Sequence, residues 1–383
     1  MRRPSTRIGG YSQNTPSIKQ LLTNFHIDVP LFLLVVTILS LGLFILFSAS
    51  AENIVKTLKQ VGWIFFGLIA MWFIAMVPPA TLKRWTPKIF IFSLIPAALV
   101  LIPGIGIEVK GATRWIGFGS FRFQPSEIFK VVLPLMLAWL FSEARLPIRF
   151  GQLILAVLVM AIPVGMVAME PDLGTSLLIL MSGLIVLFLA GLSWKLIGFS
   201  ILALAAGTIP IYKYVLLDYQ RVRVDTLLFS SGKDKKEKKG THWQSNQSKI
   251  AIGSGGIYGK GYLAGTQSHH GFLPEADTDF IFAVISEEFG LTGALFLLML
   301  YLLVLFRGLL IATSAKDTFS RLLAGTLSLM FMIYVCINML MVSGLLPVVG
   351  LPLPIISRGG TSMITTMVGF GMLMSIQTNR KLV

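Results

Sequence analysis

Long apolar runs separated by short polar segments extend along almost the whole chain. A helix needs about 20 mostly apolar residues to cross the hydrocarbon core of a bilayer, and several runs reach or approach this length. The pattern predicts an all-α polytopic membrane protein with about ten transmembrane helices. The predicted spans are residues 29–47, 60–78, 88–103, 128–141, 152–169, 174–191, 196–217, 280–306, 320–346 and 360–376.

The composition agrees with a chain that is dissolved in lipid. Only 13% of the 383 residues are charged, whereas soluble domains average about 25%. In a soluble protein the net charge of +15 would favour a nucleic-acid partner. In a membrane protein it is first explained by basic loops that set the orientation, so we expect no nucleic-acid partner.

Lysine and arginine in the short loops predict the orientation, because positive residues are retained on the cytoplasmic side. A cytoplasmic tail of residues 1–28, an uncleaved first span and an even number of spans place both termini inside. Residues 218–278 then form one long extracytoplasmic loop between the seventh and eighth spans. Its basic tract, residues 233–239, is interpreted as a solvated tip, with lipid headgroups or a partner as the alternative. We treat residues 1–383 as a single membrane domain.

Ionisable residues inside the spans or at their outer edges are the candidates for chemistry, because charges are costly at membrane depth. These candidates are Glu127, Lys130, Glu170, Asp172, Asp277, Asp279, Glu287 and Glu288.

Three of these candidates have a structural alternative. Glu127 and Lys130 are predicted to share one face at the start of a helix, so they either neutralise each other or leave Lys130 to bind an anionic, diphosphate-like group. Asp172 either caps the next helix or contributes to the site.

Asp279 lies where the long outer segment becomes an apolar span. Burial against an apolar wall raises the pKa of a carboxylate, which suits a general base better than solvation does. Capping of the following helix is the structural alternative here as well.

Several familiar motifs are incomplete. The glycine-rich residues 253–261 lack a Gly and the Ser or Thr that a Walker phosphate loop requires, and glycine-rich turns explain them better. His269 and His270 have no spaced carboxylate or cysteine companions for a metal site. Nothing in the sequence indicates a nucleotide-driven machine.

Several ordered segments resemble the SEDS family (shape, elongation, division and sporulation), and its RodA-like elongation branch more than its FtsW-like division branch. Two positions depart from the family pattern: Asp277 replaces a basic residue or His before Thr278, and Arg358 replaces a tyrosine before two glycines. The most specific segments are residues 110–116, 122–127, 171–176, 247–256, 265–268, 272–275, 278–280 and 346–350.

The resemblance implies a glycosyltransferase that polymerises lipid II into β-1,4 glycan strands on the outer face of the bacterial cytoplasmic membrane, with release of undecaprenyl diphosphate. It implies stimulation by a divalent cation, Mg²⁺ or Mn²⁺, and no nucleotide. The implied partners are a class B penicillin-binding transpeptidase and the membrane proteins of the elongation complex.

The resemblance also implies residue roles. Asp279 becomes the catalytic base, while Lys130, Arg114 or a divalent ion stabilises the leaving diphosphate. Two hypotheses of other classes stay open: a flippase that moves the lipid-linked precursor along the same buried charges, and a non-catalytic scaffold. The implied substrate-binding residues are Glu127, Lys130, Trp115, Arg114, Asp172, Gln247 and Lys249.

Overall fold

The computed structural model describes residues 26–109, 112–118, 121–144, 147–170, 172–192, 198, 241–269, 272–273 and 275–379. Across these ranges the chain is mostly helical and carries one small antiparallel sheet. The helices are α1 (Val29–Ala49), α2 (Ile54–Met76), α3 (Pro79–Val100), α4 (Ser126–Phe141), α5 (Phe150–Met169), α6 (Leu173–Leu189), α7 (Thr241–Gly255), α8 (Thr266–His269), α9 (Ile281–Thr313), α10 (Thr318–Val342) and α11 (Gly360–Thr378). The strands are β1 (Ile107–Val109), β2 (Ala112–Phe118) and β3 (Phe121–Phe123).

Every predicted span that falls in the described ranges coincides with a helix. Five of these helices, α1, α2, α5, α9 and α10, are long and apolar enough to cross a membrane, which makes the chain an integral membrane protein. The predicted seventh span and the basic tract at residues 233–239 lie outside the described residues. The total of ten spans and the position of the long outer loop therefore stay predictions.

The expectation of an all-α chain was wrong for the segment between α3 and α4, which forms the sheet. Strands β1 and β3 have only three residues each, and the seven residues of β2 do not alternate strictly between apolar and polar side chains. Helix α7 was also missed, because its sequence is mostly polar and has no long apolar run.

Helix α11 lies close against α2 because two of its residues at the contact are glycines, which have no side chain. A Cβ atom at Gly360 would overlap the Trp63 ring, and one at Gly371 would overlap the backbone of Met71. Small residues at a helix contact are a common way for membrane helices to pack, since they let the backbones approach. The start of α11 is therefore fixed against α2.

A break in α9 explains the glycine-rich segment. Gly290 has φ 64° and ψ −161°, which interrupts the helix and leaves backbone groups without helical partners. Leu291 N then donates to Gly256 O at 3.0 Å, and Lys260 N donates to Glu287 O at 3.0 Å. Residues 256–258 form turns, as interpreted, whereas residues 253–255 are the end of α7, and the bonds from this segment complete the broken helix.

Ion pairs mark the two ends of the bundle. At the end that carries β1–β3, called the sheet end below, Arg114 of β2 pairs with Asp172 at the start of α6. At the opposite end Asp28 caps α1 and accepts from Arg307 Nε at 3.0 Å. The candidate residues all lie at or towards the sheet end.

Candidate active site

The loop between α10 and α11, residues 343–359, connects most of the candidate residues. It is called the α10–α11 loop below. A Cβ at Gly350 would lie 3.5 Å from Asp279 Oδ2, and Val349 packs against Gly174, the second residue of α6. The side chain of Lys249 lies against Gly344. Groups that are far apart in the sequence therefore border one loop.

Asp279 lies in a turn, residues 275–280, directly before α9. The N-cap residue of α9 is Phe280, and it forms no side-chain capping hydrogen bond. Asp279 lies one residue before this position, and its role as a helix cap stays an alternative. Its carboxylate is half-buried and faces Gly350.

The backbone of this turn is fixed from outside. The carbonyl oxygens of residues 277, 278 and 279 each accept a hydrogen bond from another part of the chain. The donors, in that order, are Arg358 N at 2.9 Å, Ser357 Oγ at 2.6 Å and Asn338 Nδ2 at 2.9 Å. Since these donors engage the backbone, they hold the turn whatever the side chain at 279 is.

Asp277 and Arg358, the two departures from the family pattern, contact each other. Arg358 Nε lies 3.1 Å from Asp277 Oδ2, and Lys56 Nζ lies 3.0 Å from the same oxygen. Sequence reasoning considered the two positions separately and overlooked Lys56. The signal that could have linked them was the opposite charge of the two departures.

Asp172 does more than cap a helix. Its Oδ1 accepts from Thr175 N at 3.2 Å, so the capping interpretation is confirmed. Its Oδ2 also accepts from Arg114 Nη1 at 3.0 Å and from Gln124 Nε2 at 3.2 Å. The cap therefore fixes a guanidinium at the sheet end, where Arg114 keeps about a quarter of its side chain exposed (26%).

Glu170 lies in the turn between α5 and α6 and was given no role by the sequence. It is 1% exposed, and neither carboxylate oxygen has a hydrogen-bond partner among the described residues. Burial, followed by the nearby Asp172, raises the pKa of Glu170 to about 8, although Arg114 opposes the shift. At neutral pH this carboxyl group therefore holds its proton.

Glu170 should make the protein less stable as pH rises. Between its ordinary pKa of 4.5 and about 8, the folded protein holds a proton that the unfolded chain has released. Stability is therefore lost through this window, by an amount on the order of 3–5 kcal/mol. Glu170→Gln removes the titrating group, and we expect thermal unfolding of the purified variant to lose most of this pH dependence.

Glu143→Gln is the control for this experiment, because Glu143 is a surface carboxylate with 87% of its side chain exposed. It should keep the wild-type pH dependence. A Glu170→Gln variant whose melting temperature falls with pH as steeply as that of the wild type would contradict the assignment.

Glu127 and Lys130 form a buried ion pair on α4, as their spacing predicted. Lys130 Nζ lies 2.5 Å from Glu127 Oε1 and 5.0 Å from the centre of the Tyr334 ring. The pair lines an open cavity between α4, α10, α11 and the α10–α11 loop, with about 650 Å³ of empty space that includes open solvent. The rest of the wall is mostly apolar, and includes Phe331, Leu351 and Phe370.

The remaining predicted residues are less connected. Trp115 is half-buried on β2 opposite Ile107, and Gln247 is half-buried on α7. Lys249 is exposed one residue after Ser248, whose hydroxyl donates to Val342 O at 2.8 Å. Across the part of the chain that is described, Lys249, the charged residue of the three, forms no ion pair.

Two further candidates have structural partners. The fully buried Glu287 accepts from Lys260 Nζ at 2.6 Å and from Thr266 N at 2.9 Å, so it fixes the segment before α9. Glu288 accepts from the hydroxyl of Ser48 on α1. Both carboxylates are therefore assigned to the packing around the break in α9.

The described residues offer few ligands for a divalent metal ion. Within those ranges no three His, Cys, Asp or Glu side chains lie together in a way that could hold a metal. Asp172 already accepts hydrogen bonds from Arg114, Gln124 and Thr175, and Glu170 holds a proton. The donor set therefore does not fit a resident metal, and the expected Mg²⁺ or Mn²⁺ stays a prediction.

Comparisons with known proteins agree over nearly the full length. A family model described as "Cell cycle protein" and named for FtsW, RodA and SpoVE matches residues 28–382. Peptidoglycan glycosyltransferase MrdB of Escherichia coli (strain K12) is 44% identical over 369 residues, covering 96% of this chain and 98% of that protein. Stage V sporulation protein E of Bacillus subtilis (strain 168) is 32% identical over 359 residues, covering 91% and 96%.

Solved structures show the same fold. The Rod shape determining protein RodA of Thermus thermophilus superposes with a TM-score of 0.70 at 28% identity, covering 93% of this chain and 98% of that one. A chain from a structure on coordinated polymerization and crosslinking by a peptidoglycan synthase complex gives a TM-score of 0.79 at 30% identity, covering 92% and 98%. With its residues 28–382 matched by the family model and its fold shared with RodA, the chain belongs to the FtsW, RodA and SpoVE family of cell cycle proteins.

Proposed function

We propose that this chain is a peptidoglycan glycosyltransferase that joins lipid II units into β-1,4 glycan strands and releases undecaprenyl diphosphate. Relatives that align with it over nearly their whole length carry the name peptidoglycan glycosyltransferase. The observation that carries the proposal is the Asp279 turn, whose three carbonyls are held from outside. A carboxylate fixed in this way next to Gly350, one residue before Leu351 in the cavity wall, suits a catalytic base.

In the proposed reaction Asp279 takes the proton from the glucosamine 4-hydroxyl of the acceptor. The oxygen then forms a bond to the muramyl anomeric carbon of the donor, while the bond from that carbon to the diphosphate oxygen breaks. The electron pair of the broken bond leaves with the undecaprenyl diphosphate. A positioned base of this kind contributes about 10²–10⁴-fold to a rate.

Cations of the chain stabilise the leaving diphosphate in this proposal. Arg114 is fixed by Asp172 and stays partly exposed, and Lys249 is exposed beside the α10–α11 loop. Lys130 faces the cavity with its charge partly shared with Glu127. A guanidinium suits this task because it donates two parallel hydrogen bonds to phosphate oxygens.

The cavity fits the lipid part of the substrate. Its wall is made mostly of apolar side chains from α10 and α11, with Glu127 and Lys130 as charged wall residues. A polyprenyl chain requires apolar surface, whereas its diphosphate requires charge, and this cavity offers both. The family resemblance assigns Trp115 and Gln247 to substrate binding.

We place the sheet end at the outer face of the bacterial cytoplasmic membrane and both termini inside, as the basic loops predict. The proposed partner is a class B penicillin-binding transpeptidase that crosslinks the new strands, together with other membrane proteins of the elongation complex. A structural neighbour from a peptidoglycan synthase complex supports a partner of this type.

The test is polymerisation of purified lipid II by the purified protein with its transpeptidase partner, with and without Mg²⁺ or Mn²⁺. We expect glycan strands that lengthen with time and no requirement for nucleotide. A flippase would instead move labelled lipid II across proteoliposomes without making polymer. Transport in the absence of any polymer would overturn the proposal in favour of that alternative.

A further inference from the structure

Asp277 is a buried carboxylate two residues before the proposed base, and cations from two different elements hold it. It is 5% exposed. Lys56 reaches it from the first turn of α2, and Arg358 reaches it from the last residues before α11. Both cationic side chains are 40% exposed, so this ion-pair triad lies at the rim of the sheet end.

Arg358 acts on the turn through both its backbone and its side chain. Its N–H donates to Asp277 O at 2.9 Å, and its guanidinium pairs with the Asp277 carboxylate. The preceding residue, Ser357, donates to Thr278 O, while Ser357 O accepts from Gln60 Nε2 of α2 at 3.3 Å. The turn is therefore fixed to α2 and to the start of α11 together.

The position of Asp279 follows from these contacts. Asp277 and Asp279 belong to one short turn, so a rotation at Asp277 displaces the Asp279 carboxylate. The two cationic side chains are half-exposed, so water screens their pairing with the buried Asp277 carboxylate, and stability alone does not explain three converging charges. A displacement of about 1 Å at a reacting group, by contrast, costs on the order of 10²-fold in rate.

We propose that Asp277 and Arg358, together with Lys56, are positioning residues that keep the Asp279 carboxylate within reach of the acceptor hydroxyl. This inference rests on the proposed function, because it requires Asp279 to be the base. None of the three residues touches the substrate in this assignment. They act through the backbone of the turn.

The experiment measures initial rates of glycan formation over a range of lipid II concentrations for Asp277→Asn, Arg358→Gln and the double variant. We expect each single variant to lower kcat by about 10- to 100-fold, with KM changed by less than about threefold. The double variant should be no slower than the slower single variant, because both changes remove the same contact. Arg358→Lys keeps the charge and should recover most of the lost rate.

Lys83→Gln is the matched control. It also removes an ion pair, of 3.3 Å to Glu143, but this pair lies at the opposite end of the bundle and is largely exposed. It should polymerise at the wild-type rate. Thermal unfolding of every variant shows whether a lower rate comes from unfolded protein or from a local change in the turn.

Hydrogen exchange of the peptide that covers residues 275–283 tests the geometry without relying on activity. Exchange should be faster in Asp277→Asn and Arg358→Gln and unchanged in Lys83→Gln. Unchanged exchange, single variants with wild-type kcat, or rate losses that multiply in the double variant would each overturn the inference. A wild type that makes no polymer would overturn the proposed function, while exchange would still decide whether the triad holds the turn.

Discussion

Replacing Asp279 by alanine is expected to abolish polymerisation of lipid II while leaving folded, membrane-inserted protein. The side chain supplies the proposed base, and its loss removes the route for the hydroxyl proton. We expect a loss of at least about 10²–10⁴-fold. The turn itself should persist, because Asn338 bonds to the backbone carbonyl of residue 279.

Asp279→Asn is the sharper version of this variant, because the amide keeps the size of the side chain but cannot accept a proton as a carboxylate does. It should be as inactive as Asp279→Ala, with a melting temperature close to that of the wild type. Glu143→Gln removes an exposed carboxylate elsewhere and should polymerise normally. Rapid strand synthesis by Asp279→Asn would show that another group takes the proton.

Lys130→Met is expected to destabilise the protein strongly. It leaves the Glu127 carboxylate buried beside the cavity without the amine that now lies 2.5 Å away. Removing one partner of a buried pair costs about 3–5 kcal/mol. We expect little folded protein after purification in detergent, measured by size-exclusion chromatography and thermal unfolding.

The double variant Glu127→Gln/Lys130→Met separates the two roles that the sequence left open for this pair. It removes both charges at once, so the folded state should recover most of the lost stability. Polymerisation should stay well below the wild-type rate, since the cation for the diphosphate is gone. A folded double variant with wild-type activity would show instead that Glu127 and Lys130 only neutralise each other's charge.

Much of the fold was predictable because it depends on local hydropathy. The beginnings of α1, α4, α5 and α6 fall within two residues of the predicted spans. Helices α2 and α3 begin earlier than predicted, because their first turns carry basic residues that interrupt the apolar run. The small sheet and α7 were missed since neither has a strong periodic apolar pattern.

The sequence predicted individual residues of the site but not which of them contact each other. Asp172 was expected to cap a helix, and it does, but its pairing with Arg114 joins two segments 58 residues apart. Glu170 was recognised as ionisable, yet only its burial without a partner shows that it holds a proton. Asp277 was recognised as unusual, and its partners lie 221 and 81 residues away.

The sequence by itself determined that this chain lies in a membrane, where most of its helices run, and which acidic and basic residues merit attention. Hydropathy and helix capping act over a few neighbouring residues, so the sequence order records them directly. The tertiary structure decided which charges meet and how the Asp279 turn is held. Those contacts join α2, the turn before α9 and the α10–α11 loop, and they exist only after these segments have packed together.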